Sequence, residues 1–292
     1  MKKKKKREQQ TARHGAGQAP SGSGQPMTIA AALDIALRHH QAGNLQTAES
    51  IYRQILQFEP DNPEALHLLG VIAHQQQRHE AAVELIGRAL AGKPNFADAH
   101  SNLGNALREL GRLVEAEQSF RKAIAVNPKF AMAHYNLGNI LLTRHRYDEA
   151  ARNFERAIAV SPRLVEAYTN LGIALKELGR LKEAEASYRK ALSLSPDHVI
   201  THFNLGNTLL EMGCPEKAAA CYRRCLELAP SYTEARLNLG AVLRDLGMID
   251  EAADCYRQAR ADVPDNTEVL VNYGAVLRDQ GKPAEAETCY RR

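Results

Sequence analysis

The chain has 292 residues, of which 44% are apolar and 25% charged, with no Trp and a formal net charge of +4, a composition ordinary for a globular protein. The charge is unevenly placed: residues 1–28 carry Lys2 to Lys6, Arg7 and Arg13 against Glu8, a net +6, which leaves the remainder at −2. A slightly acidic body lacks the broad positive field that nucleic-acid binding needs, and no apolar run reaches the roughly 18 residues that span a membrane.

In chain order, residues 1–28 are mostly Lys, Gln, Gly, Ser and Pro. With almost nothing to bury they are expected to be disordered, and the fold is expected to begin near Thr28. The polylysine start is followed by RHGAGQAPSGSGQP and no apolar stretch, so it does not read as a signal peptide. Five cysteines, an odd number crowded between Cys214 and Cys289, do not suggest an oxidised secreted framework. A cytoplasmic location is the expectation.

From Ile29 the sequence repeats every 34 residues. Repeats 1 to 7 cover 29–62, 63–96, 97–130, 131–164, 165–198, 199–232 and 233–266, and a partial repeat 8 covers 267–292. Within each, position 7 is large and apolar (Ile35, Leu69, Leu103, Leu137, Leu171, Leu205, Leu239, Tyr273), and position 8 is Gly except for Ala36. Position 20 is always Ala, position 24 is large, from Tyr52 to Tyr290, and position 32 is Pro in the seven complete repeats. Apolar residues at positions 4, 7 and 11, and again at 20, 24 and 27, share one helical face. Each repeat therefore predicts two helices. A Gly at position 15 in six repeats, Gly43, Gly111, Gly179, Gly213, Gly247 and Gly281, permits the left-handed residue that ends the first helix, and the Pro stops the second. One hairpin buries too few side chains to offset the entropy of ordering it, so neighbours must stack. Arg292 falls at position 26 of repeat 8, short of the small residue and the Pro, and the array is expected to continue beyond it.

This pattern resembles the tetratricopeptide repeat, a 34-residue helix-turn-helix. The resemblance covers residues 29–292 and implies an all-α fold, a right-handed superhelical solenoid whose first helices line a groove for a partner's peptide. It implies binding without catalysis. Asn102, Asn136, Asn170, Asn204, Asn238 and Asn272 occupy position 6 in repeats 3 to 8. This is similar to the repeat array of O-GlcNAc transferase and SPINDLY-type proteins, where an Asn at this position grips a peptide backbone. Asp34 and Leu68 depart from it in repeats 1 and 2. An Asn amide both donates and accepts, so such a row suits an extended strand of any sequence. Duplication of one ancestral repeat would leave the same row.

Positions 12 and 13 pair a base with an acid in Arg108–Glu109, Lys176–Glu177, Arg244–Asp245 and Arg278–Asp279, which reads as a solvated face with weak ion pairs. Cys221, Cys255 and Cys289 recur at position 23, but stacked helices about 8 to 10 Å apart are too distant for disulfides. Cys225 and the position-4 residues His100, His134 and His202 read as packing residues. No metal site, catalytic residue or cofactor is assigned, since the sequence has no H-E-x-x-H, phosphate-loop or G-x-S-x-G motif. The expected function is a scaffold that binds a protein or peptide partner in the groove. The alternative is the substrate-selecting arm of a larger O-GlcNAc transferase-like or SPINDLY-like glycosyltransferase.

Overall fold

The computed structural model describes residues 28–291, and the expected disordered tail before Thr28 lies outside them. The described residues form two compact parts, one ending at Pro60 and one beginning at Asp61. The first is a hairpin of α1 (Ile29–Gln41) and α2 (Leu45–Phe58). Thr28 caps α1 by accepting from the Ala31 amide at 3.2 Å, which satisfies a donor the helix cannot. Ala36, Ala48, Tyr52 and Ile55 are buried within this hairpin.

The second part continues with α3 (Pro63–Gln75), α4 (His79–Gly92), α5 (Ala97–Glu109), α6 (Leu113–Val126), α7 (Ala131–Thr143), α8 (Tyr147–Val160) and α9 (Val165–Glu177). It then runs through α10 (Leu181–Leu194), α11 (Val199–Glu211), α12 (Pro215–Leu228), α13 (Thr233–Asp245), α14 (Ile249–Asp262), α15 (Thr267–Asp279) and α16 (Pro283–Tyr290). Every odd helix occupies positions 1 to 13 of its repeat, and every even helix begins at position 17. Each odd helix pairs with the next even helix, and each even helix from α4 to α14 packs on the odd helix that follows it. The chain is all-helical over the described residues, as the period requires.

Position 15 ends the first helix as expected. The six glycines there have φ between 71° and 79°, and Gly111 and Arg112 donate back to the carbonyls of Arg108 and Leu107 at 2.9 Å each, which satisfies carbonyls left open at the helix end. Repeats 2 and 4 have no glycine at this position, yet Gln77 (φ 61°) and His145 (φ 56°) adopt the same conformation. The pairing of the two helices in each hairpin, with Gln77 donating to the His74 carbonyl and His145 to that of Leu142, holds the turn against its local cost.

Position 8 sets the distance within each hairpin. A Cβ on Gly104, Gly138, Gly172, Gly206 or Gly240 would lie 2.5–2.8 Å from the position-24 ring of the same repeat. Those rings, Phe120, Phe154, Tyr188, Tyr222 and Tyr256, are almost wholly buried. A continuous core of buried side chains runs from Leu107 to Cys289, so the stacked hairpins share one interior. Tyr290, at the same position in repeat 8, is instead 47% exposed.

Position 4 carries more than packing. The rings of His100, His134 and His202 lie 2.8, 3.1 and 2.7 Å from the carbonyl oxygens of Pro94, Pro128 and Pro196. Each is the position-32 proline of the preceding repeat. Arg236 makes the same connection to Pro230 and also pairs with Asp262. These side chains tie the start of one repeat to the end of the last, a role that the reading of them as packing rings missed.

Candidate interaction face on the odd-numbered helices

Positions 2, 5, 6, 9, 12 and 13 fall on one side of a helix by their three-to-four spacing. In the second part this side is stitched from repeat to repeat. The Asn102 amide lies 2.8 Å from Nε2 of His67, joining α5 to α3. Asn136 donates to Oδ1 of Asn105 at 3.1 Å, Asn170 to Asn139 at 2.7 Å and Asn238 to Asn207 at 3.0 Å. The Thr169 and Thr201 hydroxyls meet at 2.7 Å between α9 and α11, and Arg244 joins α13 to α15 by pairing with Asp279 at 2.6 Å.

The six position-6 asparagines are thus not equivalent. Asn102, Asn136, Asn170 and Asn238 use an amide donor to hold the preceding repeat. In the repeats before Asn204 and Asn272 position 9 is Ile173 and Ala241, which offer no side-chain acceptor, and neither asparagine side chain has a hydrogen-bond partner among the described residues. Asn136 is buried and the other five are half-buried. The partner asparagines, Asn105, Asn139 and Asn207, all stand at position 9, a recurrence visible in the sequence that the reading of position 6 alone overlooked.

The charges at positions 12 and 13 also connect repeats. Lys176 pairs with Glu211 of the next repeat at 2.9 Å as well as with Glu177 at 3.3 Å. Arg244 reaches Asp279 and not its neighbour Asp245. Arg108 makes the pair expected locally, with Glu109 at 2.8 Å, as Lys176 does in part with Glu177.

The side also exposes apolar atoms. Met132 on α7 is 44% exposed, and Ile200 and Leu210 on α11 are 53% and 40% exposed. Phe203 and the uncommitted Asn204 lie half-buried between the last two. The opposite side is less suited to recognition: a concavity of about 580 Å³ between α4 and α6 is lined by Leu90, Pro94, His100 and Lys122, and its imidazole is already bonded to Pro94.

The cysteines are free thiols. Burial pushes Cys221 and Cys255 above the usual thiol value and Cys225 up to about 11, so they are protonated at neutral pH and poor nucleophiles. No group of three or more His, Cys, Asp or Glu among the described residues could hold a metal ion. No described helix is long and apolar enough to cross a membrane.

Comparison with known proteins gives a consistent family. Models of the tetratricopeptide repeat match residues 39–103, 97–130, 135–199, 199–232 and 242–292. No curated protein matches the sequence. Among solved structures, PilW, described as a widely conserved type IV pilus biogenesis factor, has a TM-score of 0.64 at 23% identity, over 71% of this chain and 96% of its own. YrrB, described as a tetratricopeptide repeat protein with an unusual peptide-binding site, has a TM-score of 0.56 at 23% identity, over 64% of this chain and 97% of its own. MamA from Desulfovibrio magneticus RS-1, residues 41 to the end, has 0.56 at 24%, over 59% and 97%. At these identities the structures show a shared fold alone. With the 34-residue period, the paired helices and the matched models in agreement, the chain belongs to the tetratricopeptide repeat family.

Proposed function

We propose that the odd-helix side of α5 to α13 binds an extended peptide of a partner protein, and that the chain acts as an interaction scaffold. One observation carries the reading: on α11 the exposed Ile200 and Leu210 flank Asn204, whose amide has no partner among the described residues. Exposed apolar surface beside an unused donor and acceptor suits a strand that brings both side chains and backbone. The peptide-binding site named for YrrB supports the reading by analogy of fold. The reading of the array as the selecting arm of a glycosyltransferase rests on the same asparagines and requires the same peptide contact.

The test is selection of random peptides of about 15 residues, enough to cross five repeats, on the full chain. Selected peptides should lose binding to an Ile200→Glu/Leu210→Glu variant, and Asn204→Ala should weaken them by about 0.5–1.5 kcal/mol. Retention of the peptides by the double variant contradicts the reading.

A further inference from the structure

Across repeats 3 to 7 the open side of the odd helices alternates in character with a period of two repeats, while Glu64 and Glu268 at position 2 of repeats 2 and 8 stand outside the pattern. Positions 2 and 12 read Asp98 and Arg108 in repeat 3, and Met132 and Leu142, with the half-buried Tyr135 between them, in repeat 4. Repeat 5 is polar again, with Glu166 and Lys176, and repeat 6 is apolar, with Ile200, Phe203 and Leu210. Repeat 7 returns to charge at Glu234 and Arg244, its position-5 residue Leu237 being buried.

The charges within this pattern are not balanced. The bases at position 12 are matched by acids at position 13, as in Arg108–Glu109, Lys176–Glu211 and Arg244–Asp279. The exposed acids at position 2, Asp98, Glu166 and Glu234, have no ion-pair partner among the described residues. An acid in the first helical turn is favoured by the helix dipole. That preference would apply equally to α7 and α11, which place Met132 and Ile200 there, exposed. The alternation therefore calls for a complement outside the fold.

Resting on the peptide-binding reading above, we propose that this side selects an extended segment in which apolar and basic residues alternate every third position. Stacked helices lie about 8–10 Å apart, and an extended chain of the polyproline II type advances about 3.1 Å per residue with about three residues per turn, so about three residues pass each repeat and every third side chain faces the array. An apolar residue seated on Met132 and Tyr135 places a basic residue three positions on beside Glu166. The next apolar residue reaches Ile200 and Phe203, and the next basic residue reaches Glu234. The committed charges at positions 12 and 13 leave the position-2 carboxylates as the unbalanced field that such a segment would neutralise.

The probe is a labelled synthetic peptide of about 15 residues with Leu and Lys alternating at every third position and Ser elsewhere. It is titrated with the full chain by fluorescence anisotropy. It should bind about tenfold tighter than the same peptide with Glu in place of Lys, and tighter than a peptide of equal composition with the alternation closed to every second position. A Glu166→Lys/Glu234→Lys variant alters exposed side chains, should keep its helix content by circular dichroism, and should invert the preference. Equal binding of the three peptides, or a preference unmoved by the variant, overturns the proposal. Library-selected peptides that depend on Ile200 but show no basic residue at the third position overturn it while leaving peptide binding intact. If no selected peptide depends on Ile200, both fall.

Discussion

Substituting Gly172 by Ala tests whether the close approach of paired helices holds each repeat together. The new Cβ would stand 2.5 Å from Cε1, 2.7 Å from Cζ and 2.8 Å from Cδ1 of Tyr188, a ring with 0% exposure. The ring cannot swing into solvent, so α9 and α10 must part or the ring must leave its rotamer. Overpacking of this kind costs about 1–3 kcal/mol, and contact with three enclosed ring atoms argues for the upper half of that range. Replacing a helical Gly by Ala returns about 0.8–1 kcal/mol. The net expectation is a loss of about 1–2 kcal/mol. Ala36 and Tyr52 occupy the same two positions in repeat 1 and are both buried, so a hairpin built around the methyl exists; the cost in repeat 5 is that of forcing the adjustment on a core filled from both sides. Gly87→Ala is the control, because nothing lies within 4 Å of its added Cβ, and it should stabilise by about 0.8–1 kcal/mol. Denaturant melts give the sign, and amide exchange should localise the loss to α9 and α10. If Gly172→Ala stabilises as Gly87→Ala does, the close-approach reasoning is wrong.

Glu117 is buried and held by Arg121 at 2.9 Å, by Arg146 at 2.8 Å and by Arg144, joining α6 to the turn between α7 and α8. Glu117→Gln should cost about 1–3 kcal/mol, less than a fully buried pair because the arginines can rehydrate, read as a lowered denaturant midpoint. Acid should weaken the fold in two stages. Burial holds the His100 imidazole below its usual value, against the opposing bond to Pro94, so its contribution is complete above about pH 6.5 and is lost as pH falls through the lower folded value. Burial raises the Glu117 carboxyl, but Arg121 and Arg146 outweigh it and hold the group below the usual range. Its contribution is complete above about pH 4.3 and is lost further into acid. Melts against pH should show His100→Gln removing the upper stage and Glu117→Gln the lower. Gln77→Gly relieves an exposed left-handed residue with φ 61° and should raise the midpoint by up to about 1 kcal/mol; a fall would mean that the Gln77 side chain supports the turn.

The fold was legible because its signals are local and recur in six or seven of the eight repeats. The glycine at position 15, the proline at 32 and the glycine facing a ring at position 8 each act within one repeat. Links between repeats were harder to read, because they depend on register. The Asn136 amide meets Asn105 only because position 6 of one repeat falls beside position 9 of the last, and Lys176 reaches Glu211 across the same seam. Gln77 and His145 show the converse, a turn imposed by the pairing of the two helices of a hairpin where the local residue argues against it. Met132 and Ile200 stand at a position otherwise mostly acidic. Their meaning appears only when α7 and α11 are seen to share one open side.

The most direct measurement is the hydrogen-exchange footprint of a selected peptide on the full chain. A strand lying along the odd helices should slow exchange in α7, α9, α11 and α13, with the largest change around Asn204, and leave α8, α10 and α12 unchanged. A footprint on the even helices, or one confined to the turns at Gly179 and Gly213, would contradict peptide binding on the odd-helix side.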